Sequence, residues 1–234
     1  MILDKVEKQK YRHELKYVCT EAQLALLQAR IHHLIPLDKH VGDSGMYQIR
    51  SLYFDDYYDR CYYENENGTD PREKFRIRIY NGKPDKLCLE LKKKERGKTL
   101  KLSCPLTEEQ CRTLMKGEPL ADSPDYHPVL QKLLLLMKTT MMKPKIIVEY
   151  DRVPYVYKLG NVRITLDKNI SSCNKLETFL DKEINKRPIM PAGQHVLEVK
   201  FDEFLPDYIK SVLQLDSLKQ TAFSKFYLCR KYNV

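Results

Sequence analysis

Four short stretches of the chain carry charges at every second position: Arg12-x-Glu14-x-Lys16, Lys74-x-Arg76-x-Arg78, Glu90-x-Lys92 and Glu198-x-Lys200. Guanidinium forks grip phosphate oxygens in pairs, and ammonium groups add point charge. Carboxylates placed among them either orient the cations or hold a divalent ion that bridges phosphate oxygens. Period two is strand spacing, so each charged set shares one face while Leu15, Phe75, Ile77, Leu89, Leu91, Leu197 and Val199 take the other. The apolar face belongs to a core. The charged face lines either bulk solvent, as the wet side of an antiparallel sheet does, or an enclosed polar lumen.

The elements that must position these charges follow from pattern and punctuation. Residues 11–18 read as a strand. Thr20 and Gln23 then form a capping box for a helix with Leu24, Leu27, Ile31 and Leu34 on one face. A strand over 47–54 leads into a helical stretch over 57–66, whose Tyr57, Tyr58, Tyr62 and Tyr63 pack against the sheet in preference to stacking on a nucleobase. Residues 67–71 are a loop. Strands over 73–80 and 86–92 are joined by Asn81-Gly82-Lys83-Pro84-Asp85, and a third follows over 98–104. Thr107 and Gln110 cap a short helix, and a second helix over about 127–138 turns Leu130, Leu133, Leu134 and Met137 inward. The second half reads as strands over 145–157 and 162–168, a weaker strand over 175–180, a loop over 188–193 and a strand over 196–202. A helix over about 207–215 and a segment carrying Ser224, Lys225 and Arg230 complete it. The expectation is one α+β domain over 1–234, β-dominated, with eight mostly antiparallel strands and flanking helices.

Closing such a sheet into a barrel removes its exposed edges and turns one face of every strand into a single lumen. Parity then collects Arg12, Lys16, Lys74, Arg76, Arg78, Lys92, Arg152, Arg163 and Lys200 inside, with Glu14, Glu90, Asp167 and Glu198 among them. Lys101 and Lys225 join at a less defined register. Each buried ion costs several kcal/mol even after relaxation, so about nine cations require a wet lumen filled by anions. A chain of phosphates is the natural occupant. His13 falls on the apolar face of its strand and reads as a packed side chain.

The 234 residues hold 41 Lys and Arg against 32 Asp and Glu, a formal surplus of +9 that favours polyanionic partners. No groove-reading motif supports nucleic acid as that partner. The seven cysteines include no C-x-x-C pair, which signals neither a disulfide framework nor a zinc knuckle and fits a reducing, cytoplasmic setting. The first residues lack an apolar signal core, and the densest apolar run, 133–137, is far short of the ~20 residues that span a bilayer.

In these stretches the chain resembles the vacuolar transporter chaperone (VTC) type polyphosphate polymerase domain, a branch of the CYTH-like triphosphate tunnel metalloenzymes. The matching segments are Tyr11-Arg12-His13-Glu14-Leu15-Lys16-Tyr17, Arg50-Ser51-Leu52-Tyr53-Phe54-Asp55, Lys74-Phe75-Arg76-Ile77-Arg78-Ile79-Tyr80 and Leu89-Glu90-Leu91-Lys92. Glu149-Tyr150-Asp151-Arg152, Val162-Arg163-Ile164-Thr165-Leu166-Asp167, Leu197-Glu198-Val199-Lys200 and Phe223-Ser224-Lys225-Phe226 follow in the same order. The resemblance implies an eight-stranded antiparallel triphosphate tunnel barrel. In it, Lys16, Arg76, Arg78, Lys92, Arg152 and Lys225 match phosphate-binding positions, and Arg163 and Lys200 add contacts beside Arg12, Lys74 and Lys101. Glu198 matches a glutamate that coordinates Mn²⁺ or Mg²⁺; Glu14 and Glu90 stand between metal ligand and ion-pair partner. The broader family opens with E-x-E-x-K where this chain has Arg12, which resembles the polymerase branch. The implied activity is transfer of the γ-phosphoryl group of ATP to a growing inorganic polyphosphate chain. A triphosphatase and a non-catalytic polyphosphate- or nucleotide-binding module remain alternatives. Oligomeric state is open, as is a membrane partner that receives the product.

Overall fold

The computed structural model describes residues 10–214 and 218–232. Its strands are β1 (His13–Thr20), β2 (Tyr47–Asp55), β3 (Arg72–Tyr80), β4 (Lys83–Glu95), β5 (Lys98–Pro105), β6 (Lys143–Tyr157), β7 (Val162–Cys173), a two-residue β8 (Arg187–Pro188) and β9 (Gln194–Phe201). They form one antiparallel sheet in the order β1, β9, β7, β6, β2, β3, β4, β5, with β8 paired to β7 outside that path. The sheet curls until its two edges meet. Arg12 and Thr99 exchange backbone hydrogen bonds of 2.9 and 2.8 Å there, closing the eight-stranded wall at one point.

The turn between β3 and β4 is tighter than the sequence reading of 81–85. Asn81 (φ 52°) and Gly82 (φ 63°) make the whole connection, because two left-handed residues match the right-handed twist of the strands they join. Arg96 and Gly97 repeat the device between β4 and β5.

Helices α1 (Glu21–His32), α2 (Arg60–Glu66), α3 (Glu108–Met115), α4 (Pro128–Thr139), α5 (Asp207–Leu213) and α6 (Lys225–Lys231) complete the fold. Both expected capping boxes form, Thr20 with Gln23 and Thr107 with Gln110. Outside the barrel, α3 and α4 share a core with Phe75, Ile77, Leu89 and Leu91, while α1 and α5 cover Ile164, Leu197 and Val199. These are the apolar halves of the alternating strands. A third apolar cluster sits inside: Phe223, and Phe226 and Cys229 of α6, pack on Ile49, Tyr53, Ile146, Val148 and Tyr150. One stretch of the lumen is therefore filled by a helix.

Three sequence expectations change. Leu34 is 54% exposed, because α1 ends at His32 and a tight turn onto the Ile31 carbonyl sends Ile35 inward instead. Residues 175–180 form a 3-10 turn (Leu176–Leu180) rather than a strand. The Thr178 hydroxyl bonds the Lys175 carbonyl, and the buried Arg50 guanidinium takes the carbonyls of Phe179 and Asp181 that a strand would have offered to a neighbour. The final expected helix ends at Leu213, and Leu215 lies outside the described residues.

Candidate functional site: a braced cationic lumen

The remaining lumen is a cavity of about 680 Å³. Ten Lys or Arg side chains line it against two carboxylates, Glu14 and Glu198. All six cations that matched phosphate-binding positions are among the ten: Lys16, Arg76, Arg78, Lys92, Arg152 and Lys225. Lys74 and Lys200 join them, and so do Arg72 and Lys94.

Cross-strand register explains how most of this charge is tolerated. Arg76 faces Glu90, Lys16 faces Glu198, Glu14 faces Lys200 and Arg152 faces Asp167. Opposite charges directly across an antiparallel pair stabilise it. Arg76 donates to Glu90 from Nε at 2.7 Å and to the Tyr53 hydroxyl at 2.8 Å, and Arg78 lies 3.6 Å from the same Glu90. Arg152 binds Asp167 through two nitrogens, at 2.7 and 2.8 Å, and reaches Glu198 at 3.3 Å. Lys225, the first residue of α6, meets Asp167 at 2.6 Å above the Tyr150 ring. Lys16 bridges Glu14 (3.0 Å) and Glu198 (3.6 Å), and Lys92 completes the ring on Glu14 at 2.8 Å.

These pairings fix the protonation states. Burial alone would raise the Glu198 and Glu14 carboxyls, but the surrounding lysines outweigh it and both sit below the usual carboxylate range, Glu198 well below. Burial likewise works against Lys16, and Glu14 with Glu198 overcomes it, so its ammonium is held more firmly than usual. Lys74 and Lys92 go the other way. Desolvation, with repulsion from neighbouring cations, lowers Lys74 to about 7 and Lys92 to about 8.

Several sequence assignments move. Arg12 faces Asp202 at 3.0 Å, and Arg163 donates to Asp38 (2.8 Å) and the Tyr47 hydroxyl (2.9 Å); neither lines the cavity. Parity put both on the inner face, but each lies at a level along its strand where a loop carboxylate captures it. Lys101 is half exposed and bonds Glu90 at 3.1 Å from beside the wall. Glu90 does not reach the cavity as a metal ligand, because Arg76, Arg78 and Lys101 already surround it. His13 stacks on Phe201 at 5.0 Å and, partly buried, also borders the cavity. Tyr53, Tyr150, Arg72 and Lys94 also line the cavity; the last three share the parity of Arg152, Lys74 and Lys92, whereas β2 places no charge in the cavity to signal Tyr53. Tyr62 stacks on Tyr227 of α6, while Tyr57, Tyr58 and Tyr63 stay exposed.

No group of three or more His, Cys, Asp or Glu side chains poised for a metal occurs among the described residues. Glu14 and Glu198 remain a two-carboxylate donor set inside the cavity. Such a pair suits a small hard cation that takes its other ligands from phosphate oxygens and water.

An antiparallel barrel with a basic interior is the architecture of the triphosphate tunnel proteins. The model of the VTC domain matches residues 11–233, and the chain belongs to that family. Solved structures share the fold at low identity. One is a candidate adenylate cyclase of Bacillus halodurans (TM-score 0.55, 14% identity, covering 92% of this chain and 95% of that one). Another is a candidate adenylyl cyclase of Hippeastrum with a dominant triphosphatase activity (TM-score 0.52, 12% identity, 95% and 96%). A chain of the Schizosaccharomyces pombe Mediator head module is also similar (TM-score 0.53, 7% identity, 90% and 97%). No curated protein matches the chain in sequence. Among the described residues, no helix is long and apolar enough to cross a membrane.

Proposed function

We propose that the protein is a polyphosphate polymerase, moving the γ-phosphoryl group of ATP onto the end of an inorganic polyphosphate chain. The observation that carries this reading is the bracing of seven lumen cations on four carboxylates: Lys16, Arg76, Arg78, Lys92, Arg152, Lys200 and Lys225 on Glu14, Glu90, Asp167 and Glu198. Phosphoryl transfer asks mainly for positioning and for fixed positive charge around the moving group. A terminal phosphate oxygen attacks the γ-phosphorus, the bond from that phosphorus to the β–γ bridging oxygen breaks, and ADP leaves with the electron pair. Arg76 and Arg78 are pre-aligned donors for the equatorial oxygens, and Arg152 and Lys225 hold the phosphates beside them. Glu14 and Glu198 would hold Mn²⁺ or Mg²⁺, which supplies charge neutralisation between phosphate oxygens when bound.

Hydrolysis is the second reading, favoured by the triphosphatase activity of the Hippeastrum relative. Incubation of the protein with ATP and Mn²⁺ or Mg²⁺, followed by gel separation and a phosphate assay, separates the two. Long chains are the expected product. Free phosphate alone would transfer the protein to the hydrolases, and tight triphosphate binding without turnover would sink both enzyme readings. Arg76→Ala and Glu198→Ala should each lower turnover at least 100-fold and keep the wild-type circular dichroism.

A further inference from the structure

The inner face of β3 carries a cation at every second residue: Arg72, Lys74, Arg76 and Arg78. Strand rise makes this row about 20 Å long, more than a triphosphate covers. It runs from the nearly inaccessible Arg78 to the partly exposed Arg72. Its two halves differ. Arg76 and Arg78 share Glu90, whereas among the described residues Lys74 bonds the neutral Asn65 (2.6 Å) and Ser224 (3.4 Å), and Arg72 bonds the Thr69 carbonyl.

The facing strand sharpens the contrast. Lys74 lies across from Lys92, and Arg72 from Lys94. Like charges directly opposite destabilise a ladder. Lys92 is relieved by Glu14; among the described residues, Arg72, Lys74 and Lys94 have no carboxylate within 4 Å, while each of the other seven lining cations has one. The carboxylate of Asp70, on the loop before β3, accepts the backbone N–H groups of Arg96 and Gly97 and acts on Lys94 and Arg72 only from beyond ion-pair distance. A strand end that places two cationic pairs on one face, with Glu14 at Lys92 as the one carboxylate within 4 Å of the four among the described residues, is left short of counter-charge that a bound polyanion would bring.

We propose that Arg72, Lys74 and Lys94 form a second anion subsite at the mouth of the lumen, which takes the phosphate groups beyond those gripped by the inner cations and makes the protein prefer long polyphosphate chains over triphosphate. This rests on the polymerase reading, and it locates the acceptor chain: the reacting end lies among Arg76, Arg78 and Arg152, and the body of the chain leaves past Lys74 between Arg72 and Lys94. Ser224 and Asn65 serve as neutral spacers that keep Lys74 aimed inward without neutralising it.

Calorimetric titration of the full chain with inorganic triphosphate and with polyphosphate of defined long length, in metal-free buffer, tests this beside the variant R72Q/K94Q. Wild type should bind the long chain at least tenfold more tightly than triphosphate. The variant should lose at least tenfold in long-chain affinity and less than threefold in triphosphate affinity, and it should melt no lower than wild type because a like-charge pair has gone. Equal losses for both ligands, or a wild type without preference for length, would overturn the subsite. Parallel turnover assays keep the two proposals apart. Polymer synthesis without length preference leaves the polymerase reading standing alone; length-dependent binding without synthesis leaves the subsite standing alone. Failure to bind either ligand removes both.

Discussion

Glu90 is 2% exposed and touches three cations, so it fixes the Arg76 and Arg78 guanidinium groups in place. Removing one partner of a buried ion cluster leaves the others uncompensated, at a cost of about 3 kcal/mol or more. Glu90→Gln should lose roughly that much in urea unfolding, and inorganic triphosphate should stabilise the variant more than it does wild type, since the ligand restores the missing charge. Equal ligand stabilisation of the two proteins would show that Glu90 does not act through these arginines. The depressed lysines make a second prediction. Their unfolded ammonium groups titrate near 10.4, well above the folded values near 7 for Lys74 and 8 for Lys92. Between those limits the unfolded chain binds more protons, so these two groups make the free protein more stable as pH rises from about 7 towards 10. Phosphate binding favours the charged lysines and has the opposite sign: affinity should fall over pH 7 to 9, with proton uptake on binding. Titration in buffers of differing ionisation enthalpy reads that uptake directly, and a pH-independent affinity would refute it.

At the level of elements, α6 does two things at once. Its first residue, Lys225, supplies a wall charge, and the next, Phe226, is 2% exposed against Tyr53 and beneath the Lys74 ammonium. Phe226→Ala should cost about 3 kcal/mol or more in unfolding free energy and weaken phosphate binding, because the packing that sets the depth of the cavity is lost. Full stability in denaturant would show that α6 is an accessory. This element was the least legible in the sequence. Residues 219–232 show neither clean amphipathicity nor alternation, since a helix inside a polar lumen must be apolar towards one neighbour and charged towards another. Alternation on β3, β4 and β9 was legible for the converse reason: each strand separates a core from a lumen, and every residue reports its side. Parity fixes a face but no level along the strand, which is why alternation points Arg12 and Arg163 into the lumen although Asp202 and Asp38 hold them elsewhere. Pairing was hidden too. That Glu90 braces arginines instead of binding metal depends on the register of β3 against β4, which no single sequence states.

Over the whole molecule, seven of the eight junctions in the wall are continuous ladders, and the eighth is the Arg12–Thr99 exchange with the Glu14–Lys92 contact beside it. Two net hydrogen bonds are worth roughly 1 kcal/mol each. Hydrogen exchange should therefore find the amides of Arg12 and Thr99 opening well before those shared by β6 and β7, and Thr99→Pro, which deletes one donor, should speed exchange along β1 and β5 while sparing β6. Uniform protection around the barrel would contradict this. A bead string drawn through a sealed ring leaves only by sliding its whole length past the rim, whereas a cuff with a weak buckle can release it sideways at any length. The one-point closure makes this wall a cuff, and under the polymerase function proposed above the time taken to shed a finished chain would be set by the buckle and not by the number of beads.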